Sequence, residues 1–382
     1  MQYPETKLPG VGTTIFAQMS ALAQAHQAIN LSQGFPDFDG PEALLSRVDH
    51  HIRAGANQYA PMNGVPALCE AIGVKVERCY GRRVEVADEV TVTAGATEAL
   101  FAAIAAVVRP GDEVILFDPA YDSYDPAITL NGGQPVHLQL QPLGFAVNWD
   151  EVAQAISPRT RMIILNTPHN PTGQVMTADD LQALSDLVKG TDILVLADEV
   201  YEHILFDGHR HQSVHRFPGL AERSFVVSSF GKTYHTTGWK IGYCIAPAPL
   251  SAELRKVHQY LTFSTSTPLQ LALADYLSAN PEHDEALPAF YQAKRDRFNS
   301  RMVESRFSFT PAAGTYFQVM DYSAISDLPD TEFVLWLIEH AGVAAIPLSV
   351  FCRQAPEMKL IRFCFAKNET TLDQAAERLC KI

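Results

Sequence analysis

The chain has 382 residues and a formal net charge of −14 at pH 7, from 29 basic and 43 acidic side chains. Because 47% of its residues are hydrophobic, it can form a large core, which excludes a disordered chain or a small scaffold that depends on disulfides. An acidic chain without a block of basic residues is poorly suited to a phosphate backbone, so we expect no nucleic-acid partner. The length fits two domains, or one large α/β domain with an appendage.

The N-terminus and the cysteines both indicate the cytoplasm. The first residues contain neither a basic segment nor an apolar core, so we predict no signal peptide. The longest apolar run, 99–108, is about half of the roughly 20 residues that a membrane-spanning helix needs, so we expect no membrane association. The six cysteines include no CxxC pair and no framework spacing, as expected of reduced thiols.

Between about residues 88 and 230, short β-branched runs alternate with stretches of helical periodicity. The predicted strands cover residues 89–93, 113–117, 135–140, 161–165, 192–196, 225–228 and 241–245. The clearest helices are predicted at 97–108 and 177–189, the second opening with a threonine cap and two aspartates. Near-continuous apolar strands between helices are typical of a mostly parallel sheet covered on both faces. We therefore predict an α/β fold with a mostly parallel central sheet flanked by helices.

The pattern changes after about residue 285, where a long charged helix precedes a strand-like segment at 314–319 and a second αβ stretch. We predict a smaller α/β domain at 285–382 and a large, cofactor-binding domain at 46–284. Residues 1–45 are expected to form an N-terminal arm and part of the small domain.

Polar, turn-rich segments follow four of the predicted strands. They cover residues 94–98, 166–173, 198–201 and 229–233. Ligands collect at the carboxyl ends of strands in parallel α/β sheets. The first segment, AGATE, opens a helix whose free amides and dipole suit a phosphate. Four polar strand ends at one edge of a sheet indicate a cofactor site.

Lys232 is the candidate for covalent chemistry. The run Gly231-Lys232-Thr233 looks like the end of a nucleotide-binding P-loop, but Val226 stands where that motif requires glycine, and there is no GxGxxG. A strand-end lysine beside an acid, an amide and a tyrosine indicates a Schiff base, if burial and nearby cations lower its pKa. Pyridoxal phosphate needs such a lysine, an acid opposite its ring nitrogen, donors for its phenolic oxygen and a phosphate cradle. The sequence offers a candidate for each requirement.

Taken together, these segments resemble the class I/II aminotransferase family of fold-type I pyridoxal-phosphate enzymes, and within it the kynurenine–glutamine transaminase branch. The matching segments are NLSQGFPDF at 30–38, NQY at 57–59, AGATE at 94–98, NTPHNPTG at 166–173, DEVY at 198–201, SFGKT at 229–233, GWKIG at 238–242 and IRFCF at 361–365. The resemblance implies a homodimeric aminotransferase that moves an α-amino group from an amino acid to a 2-oxo acid in a ping-pong cycle.

The resemblance also implies roles around the cofactor ring. Lys232 would hold pyridoxal phosphate as a Schiff base and, once displaced, move a proton between the substrate and the cofactor. Asp198 would pair with the pyridine nitrogen, and Tyr121 would stack on the ring. Asn170 and Tyr201 would hydrogen-bond the phenolic oxygen.

For the cofactor phosphate, the resemblance implies the amides of Ala96 and Thr97 together with Ser229 and Lys240. Tyr59 would reach the same phosphate from the neighbouring subunit. Many family members have arginine at the position of Lys240, so a point charge would here replace a bidentate contact.

For the substrate carboxylate, the resemblance implies Arg362, completed by the Gly34 backbone and the Asn170 amide. No second arginine is identifiable for a side-chain carboxylate, and several aromatic residues could offer apolar walls. These candidates are Phe16, Phe38, Tyr59, Tyr121 and Phe263. The sequence therefore favours methionine or an aromatic amino acid over aspartate as the donor.

Three alternatives compete with this interpretation. A carbon–sulfur β-lyase would use the same cofactor and the same fold. A non-enzymatic regulator that binds the cofactor would need a DNA-binding module, for which the roughly 30 residues before the NLSQG segment leave little room. A metal site at His209, His211 and His215 lacks a cysteine or carboxylate partner at ligand spacing, so we predict no metal.

Overall fold

The computed structural model describes residues 3–141, 144–354 and 356–382. Its strands are β1 Ile29–Asn30, β2 Val90–Thr93, β3 Glu113–Asp118, β4 Gln134–Gln139, β5 Thr160–Asn166, β6 Leu194–Asp198, β7 Ser224–Ser229, β8 Gly242–Ile245, β9 Phe317–Asp321, β10 Val343–Ala344, β11 Ile346–Pro347 and β12 Leu360–Cys364. The predicted strands of the central region thus lie within two residues of the observed ones at each end.

The helices alternate with these strands. They are α1 Ile15–Ala25, α2 Glu42–Arg53, α3 Pro66–Tyr80, α4 Val86–Glu89, α5 Ala96–Val107, α6 Tyr124–Leu130, α7 Trp149–Ala155, α8 Ala178–Val188, α9 Pro218–Ala221, α10 Phe230–Thr233, α11 Ala248–Leu261, α12 Thr267–Ala279, α13 His283–Met302, α14 Asp330–Ala341 and α15 Glu369–Leu379. The predicted threonine cap of α8 is a capping box, in which Thr177 and Asp180 bond each other's backbone amides. Among the helices of the described residues, none is both long and apolar enough to cross a bilayer.

Seven strands form the central sheet in the order β2-β8-β7-β6-β5-β3-β4. The pairings among β3, β4, β5, β6 and β7 are parallel, and β8 runs antiparallel to β2 and β7. The predicted α/β fold with a mostly parallel sheet is confirmed. The reversed direction of β8 was not predictable, because an apolar run looks the same in either direction.

Both faces of this sheet are buried, since alternate residues of each strand point to opposite sides. On one face, Leu116 and Ile164 pack with the alanine-rich α5. On the other face, Phe117 and Leu165 pack with α8 through Leu184. The register places Asn166 opposite Asp198, so two polar strand ends lie side by side.

Two smaller sheets contain the C-terminal strands. The order β11-β12-β9 is antiparallel, whereas β1 pairs in parallel with β10 and so joins residues near both ends of the chain. The apolar cluster around them includes Met19 and Leu31 from the N-terminal segment together with Phe363 and Leu372.

Candidate active site

A cavity of about 250 Å³ lies at the carboxyl ends of the central strands. The predicted site residues that line it are Gly34, Ala96, Thr97, Tyr121, Asn170, Asp198, Tyr201, Ser229, Lys232 and Lys240. The strand ends therefore bring together residues that lie as far apart as 34 and 240 in the sequence.

Lys232 lies on the short helix α10, which starts directly after β7. Ser229 caps this helix, because its hydroxyl accepts a hydrogen bond from the Gly231 amide at 3.3 Å. The Lys232 amine donates to the Tyr316 hydroxyl at 2.8 Å and to the Gly34 carbonyl at 3.2 Å. Burial lowers the pKa of Lys232 to about 8, so a minor but appreciable fraction of the amine is neutral near physiological pH.

Asp198 ends strand β6 and is buried, with 3% of its surface exposed. The Tyr124 hydroxyl donates to Asp198 Oδ2 at 2.7 Å, and the Val200 amide donates to Oδ1 at 3.3 Å. Burial raises the pKa of Asp198 to about 6, because the low-dielectric site disfavours its charge more than these donors favour it. The carboxyl is nevertheless mostly ionised at pH 7 and can face a cationic ring nitrogen.

Arg362 lies on β12 with 1% of its surface exposed. Its guanidinium stacks on the Phe317 ring at 3.8 Å from the centroid and donates to the Ser32 carbonyl at 3.2 Å. Within the described residues, no carboxylate lies within ion-pair distance of Arg362, and its Nε has no hydrogen-bond partner. Burial lowers the pKa of Arg362 to about 10, so this cation is charged at neutral pH and open to an anionic ligand.

Asn170 connects the Arg362 region to the strand ends. Its side-chain oxygen accepts from Arg362 Nη1 at 2.7 Å, so its amide nitrogen is free to donate to a ligand. Its backbone amide donates to Asn166 Oδ1 at 2.8 Å, and Asn166 in turn donates to the Asp198 carbonyl at 3.0 Å. This chain of bonds holds the 166–173 loop against the end of β6.

The N-terminus of α5 forms one end of the cavity. Gly95 precedes it with a φ of 77°, and a Cβ at this position would lie 3.2 Å from Lys240 Nζ. A Cβ at Gly242 would lie 2.8 Å from the Ala96 amide nitrogen. These glycines allow the lysine and the free amides to converge, which is the donor set that a phosphate group requires. The cavity therefore fits pyridoxal phosphate, with its phosphate at α5.

Tyr59 does not line the cavity of its own chain. It is 85% exposed, and its ring contacts Phe263 in an edge-to-face arrangement with centroids 5.3 Å apart. Of the other predicted wall residues, Tyr121 lines the cavity, whereas Phe16 and Phe38 do not. Phe16 lies beside Arg362, whereas Phe38 belongs to an aromatic group with His235.

The histidines at 209–215 have protein partners or face solvent. His211 Nε2 lies 2.8 Å from a Glu199 oxygen, and His215 Nδ1 lies 3.0 Å from an Arg82 nitrogen. In the residues that the structure describes, no group of three or more His, Cys, Asp or Glu side chains is arranged to hold a metal ion.

Two residues in contact with the candidate site, Tyr124 and Tyr316, were not predicted. Tyr124 is the first residue of α6, three residues after Tyr121, and this short spacing was a sequence signal for it. Tyr316 forms a hydrogen bond with Gly34, 282 residues away, and no local sequence pattern predicts that contact.

Comparisons with known proteins agree with this geometry. The model of the family "Aminotransferase class I and II" matches residues 26–379. The methionine aminotransferase of Escherichia coli K12 is 62% identical over 98% of this chain and 97% of that protein. A probable N-succinyldiaminopimelate aminotransferase of Mycobacterium tuberculosis is 41% identical over 98% of this chain and 97% of that protein.

Solved structures are also similar. An Escherichia coli protein described as having a methionine aminotransferase function superposes with a TM-score of 0.98 at 61% identity, with 100% of both chains covered. An aspartate aminotransferase of Thermus thermophilus gives a TM-score of 0.92 at 30% identity, again with both chains fully covered. The chain belongs to the class I and II aminotransferase family, and it is a pyridoxal-phosphate-dependent aminotransferase.

Proposed function

We propose that the protein transfers the α-amino group of a neutral sulfur-containing or aromatic amino acid, with methionine favoured, to a 2-oxo acid. The unpaired guanidinium of Arg362 carries the proposal, because it offers one bidentate site for an α-carboxylate. The cationic residues in the described lining of the cavity are Lys232 and Lys240, and Lys240 lies beside Gly95, where we propose that the phosphate binds. Among the described lining residues of its own chain, the side-chain carboxylate of aspartate would therefore lack a cationic partner. The 62% identity to a methionine aminotransferase supports the same donor.

The cavity residues have matching roles toward the cofactor. Bound pyridoxal phosphate supplies a carbonyl that condenses with amines and a ring that takes up electrons from the substrate. Lys232 would hold the cofactor. Once displaced, its Nζ would take the proton from the substrate α-carbon and deliver it to the cofactor. Asp198 would keep the ring nitrogen protonated. The amine has the lowered pKa, about 8, that a base near neutrality needs.

The remaining contacts would fix the two anionic groups. The amides of Ala96 and Thr97, with Ser229 and Lys240, would hold the phosphate at the start of α5. Tyr121 would lie against the ring, and Asn170 and Tyr201 would donate to its phenolic oxygen. Arg362, Asn170 and the Gly34 backbone would hold the substrate carboxylate.

We further propose a cytoplasmic homodimer. Tyr59 contacts Phe263, and Tyr260 and Leu261 end helix α11 just before it; all four are exposed, Tyr59 by 85% and Tyr260 by 84%. Tyr59 in such a dimer would reach the phosphate of the neighbouring subunit. The free cysteines fit a reducing compartment.

The domain division is likewise a proposal, with residues 46–284 as the large domain. The pairing of β1 with β10 and the shared apolar cluster support a small domain built from 1–45 and 285–382.

The test uses the purified protein with methionine and a 2-oxo acid, and aspartate as the control donor. We expect the 2-oxo acid of methionine and the aminated acceptor, with a much slower reaction from aspartate. Pyruvate and ammonia from cystathionine, without transamination of methionine, would instead establish the β-lyase.

A further inference from the structure

Tyr316 links the catalytic lysine to the loop that precedes helix α2. Its side chain is fully buried, and its hydroxyl donates to the Gly34 carbonyl at 2.6 Å. The same hydroxyl lies 2.8 Å from Lys232 Nζ. The amine also reaches the Gly34 carbonyl at 3.2 Å, so the three groups form a closed triangle of hydrogen bonds.

The chemistry of the three groups fixes the direction of each bond. The Gly34 carbonyl can only accept, so it takes the single proton of the Tyr316 hydroxyl. Burial raises the pKa of Tyr316 well above its ordinary value, so the phenol keeps that proton. The Tyr316 oxygen must then accept from Lys232. The lysine amine therefore donates to both Tyr316 and Gly34.

These two bonds leave one direction open at the amine. A neutral amine has two N–H bonds and one lone pair, arranged tetrahedrally with the Cε bond. Since Tyr316 and Gly34 take both hydrogens, the lone pair occupies the remaining direction. Lys232 lines the cavity, which is where a lone pair has to point to accept a proton from a bound substrate.

The surrounding packing holds the Tyr316 ring in place. Its ring lies edge-on to Tyr201, with centroids 5.1 Å apart, and contacts Phe317 at 5.0 Å and Tyr291 at 5.7 Å. Because the ring is packed on three sides, its hydroxyl is held at one position. A group that orients another group has to be fixed in this way.

We propose that Tyr316 is a positioning residue, whose hydroxyl turns the lone pair of the free Lys232 amine toward the substrate cavity. The proposal rests on the role of Lys232 given above. It adds that the lysine is oriented by a residue from the C-terminal part of the chain, so the orientation depends on how that part packs against the loop at Gly34.

Tyr291 offers a matched control. It is a buried tyrosine next to Tyr316, and its hydroxyl has no hydrogen-bond partner among the described residues. Tyr316→Phe and Tyr291→Phe remove the same atom from the same aromatic cluster, but only the first removes an acceptor for Lys232.

The first experiment measures the amine without turnover. Cofactor-free protein is labelled with acetic anhydride across a pH series, and acetylation of Lys232 is followed by peptide mass spectrometry. Loss of the acceptor in Tyr316→Phe should lower the pH of half-maximal labelling by about half to one unit, and Tyr291→Phe should leave it unchanged. A profile in Tyr316→Phe that matches the wild type would overturn the proposal.

The second experiment measures the proton transfer with α-deuterated methionine. Tyr316→Phe should lower kcat by about 10- to 100-fold with little change in KM, and the deuterium isotope effect on kcat should increase. A raised KM with an unchanged isotope effect would show a merely structural role. If the wild type does not transaminate methionine, the proposed donor fails, but the labelling experiment still decides the role of Tyr316.

If Tyr316→Phe does not fold, replacement of Tyr316 by 4-fluorophenylalanine fills the place of the hydroxyl with a fluorine of similar size that is a very poor acceptor. The labelling profile should then shift in the same direction as expected for Tyr316→Phe. An unshifted profile in this protein would equally overturn the proposal.

Discussion

Two lysines, the buried Lys75 and the partly buried Lys232, have opposite chemistry. Lys75 is bonded to the Glu202 carboxylate and to the Tyr243 hydroxyl. Burial lowers the pKa of Lys75, but the charge and hydrogen bond of Glu202 together with the nearby Tyr243 and Cys79 outweigh burial and raise it. Among the described residues, the hydrogen-bond partners of the Lys232 amine are a hydroxyl and a carbonyl, and burial lowers its pKa to about 8. Burial alone therefore does not make a reactive amine. The lysine must also be left without a carboxylate partner.

The presence or absence of an ion-pair partner also distinguishes other charged side chains of the molecule. Arg362 and Asp198 are buried at the candidate site, and neither has an ion-pair partner among the described residues. His137, away from the cavity, lies between the carboxylates of Asp118 and Asp125 at 2.8 and 3.0 Å. Paired charges stabilise the fold, whereas the unpaired Arg362 and Asp198 have charges opposite to those of a substrate carboxylate and of a protonated ring nitrogen.

The largest effect is expected from replacing Lys232, the lysine without a carboxylate partner. Lys232→Ala should lower kcat by at least about 10³-fold, because it removes both the attachment of the cofactor and the base. Steady-state transamination of methionine measures it, with Lys189→Ala on the surface as the control. Retention of a tenth of the wild-type kcat would contradict the role of Lys232.

Lys75→Met tests whether the ion pair between Lys75 and Glu202 stabilises the fold. The variant leaves Glu202 buried without its cation, which should cost about 3–5 kcal/mol in the free energy of unfolding. Urea denaturation measures the loss, and the double variant Lys75→Met/Glu202→Gln should recover most of it. A loss below about 1 kcal/mol in the single variant would show that the pair does not stabilise the fold.

Arg362→Lys tests whether an unpaired cation serves the substrate carboxylate. Lysine cannot form the two parallel bonds of a guanidinium, so KM for the amino acid should rise about 10- to 100-fold with a smaller change in kcat. Arg297→Lys is the control, because Arg297 pairs with Asp373 away from the cavity. An unchanged KM in Arg362→Lys would remove this assignment.

His137→Gln should show the pH dependence of a paired cation. Burial disfavours the charge of His137, but the hydrogen bonds with Asp118 and Asp125 outweigh it and raise its pKa to about 9. Its stabilisation is therefore complete below the unfolded pKa of about 6.5 and is lost as the pH rises through about 9. The variant should be less stable than the wild type by about 1–3 kcal/mol at pH 6, and the gap should narrow by pH 9.5. Urea titrations at both values measure it, and a gap that widens with pH would contradict the assignment.

The smallest expected effect concerns the unpaired anion. Tyr124→Phe removes a donor that favours the ionised form of Asp198, so the pKa of Asp198 should rise above about 6. In the pH profile of kcat/KM, the acidic limb should therefore shift to higher pH by about one unit, with little change in kcat/KM at pH 8. Tyr322→Phe, which loses a bond to the Leu328 carbonyl away from the cavity, should leave the limb in place.

Local sequence patterns predicted most of the central sheet, because each strand and helix carries its own periodicity. They also predicted the strand-end loops, because turn-rich polar runs after apolar strands are visible without an alignment. The direction of β8 and the triangle around Gly34 were not predictable from residues alone, since both depend on contacts between distant segments. The position of Tyr59 outside the cavity of its own chain fits the expectation of a second subunit, which remains a proposal.

The most direct test of the central claim is reduction of the purified protein with sodium borohydride, followed by peptide mass spectrometry. Reduction fixes a cofactor that is bound through a Schiff base to its lysine. The account predicts a phosphopyridoxyl group on Lys232 and on no other lysine. Attachment to Lys240 or another lysine, or no attachment at all, would contradict it.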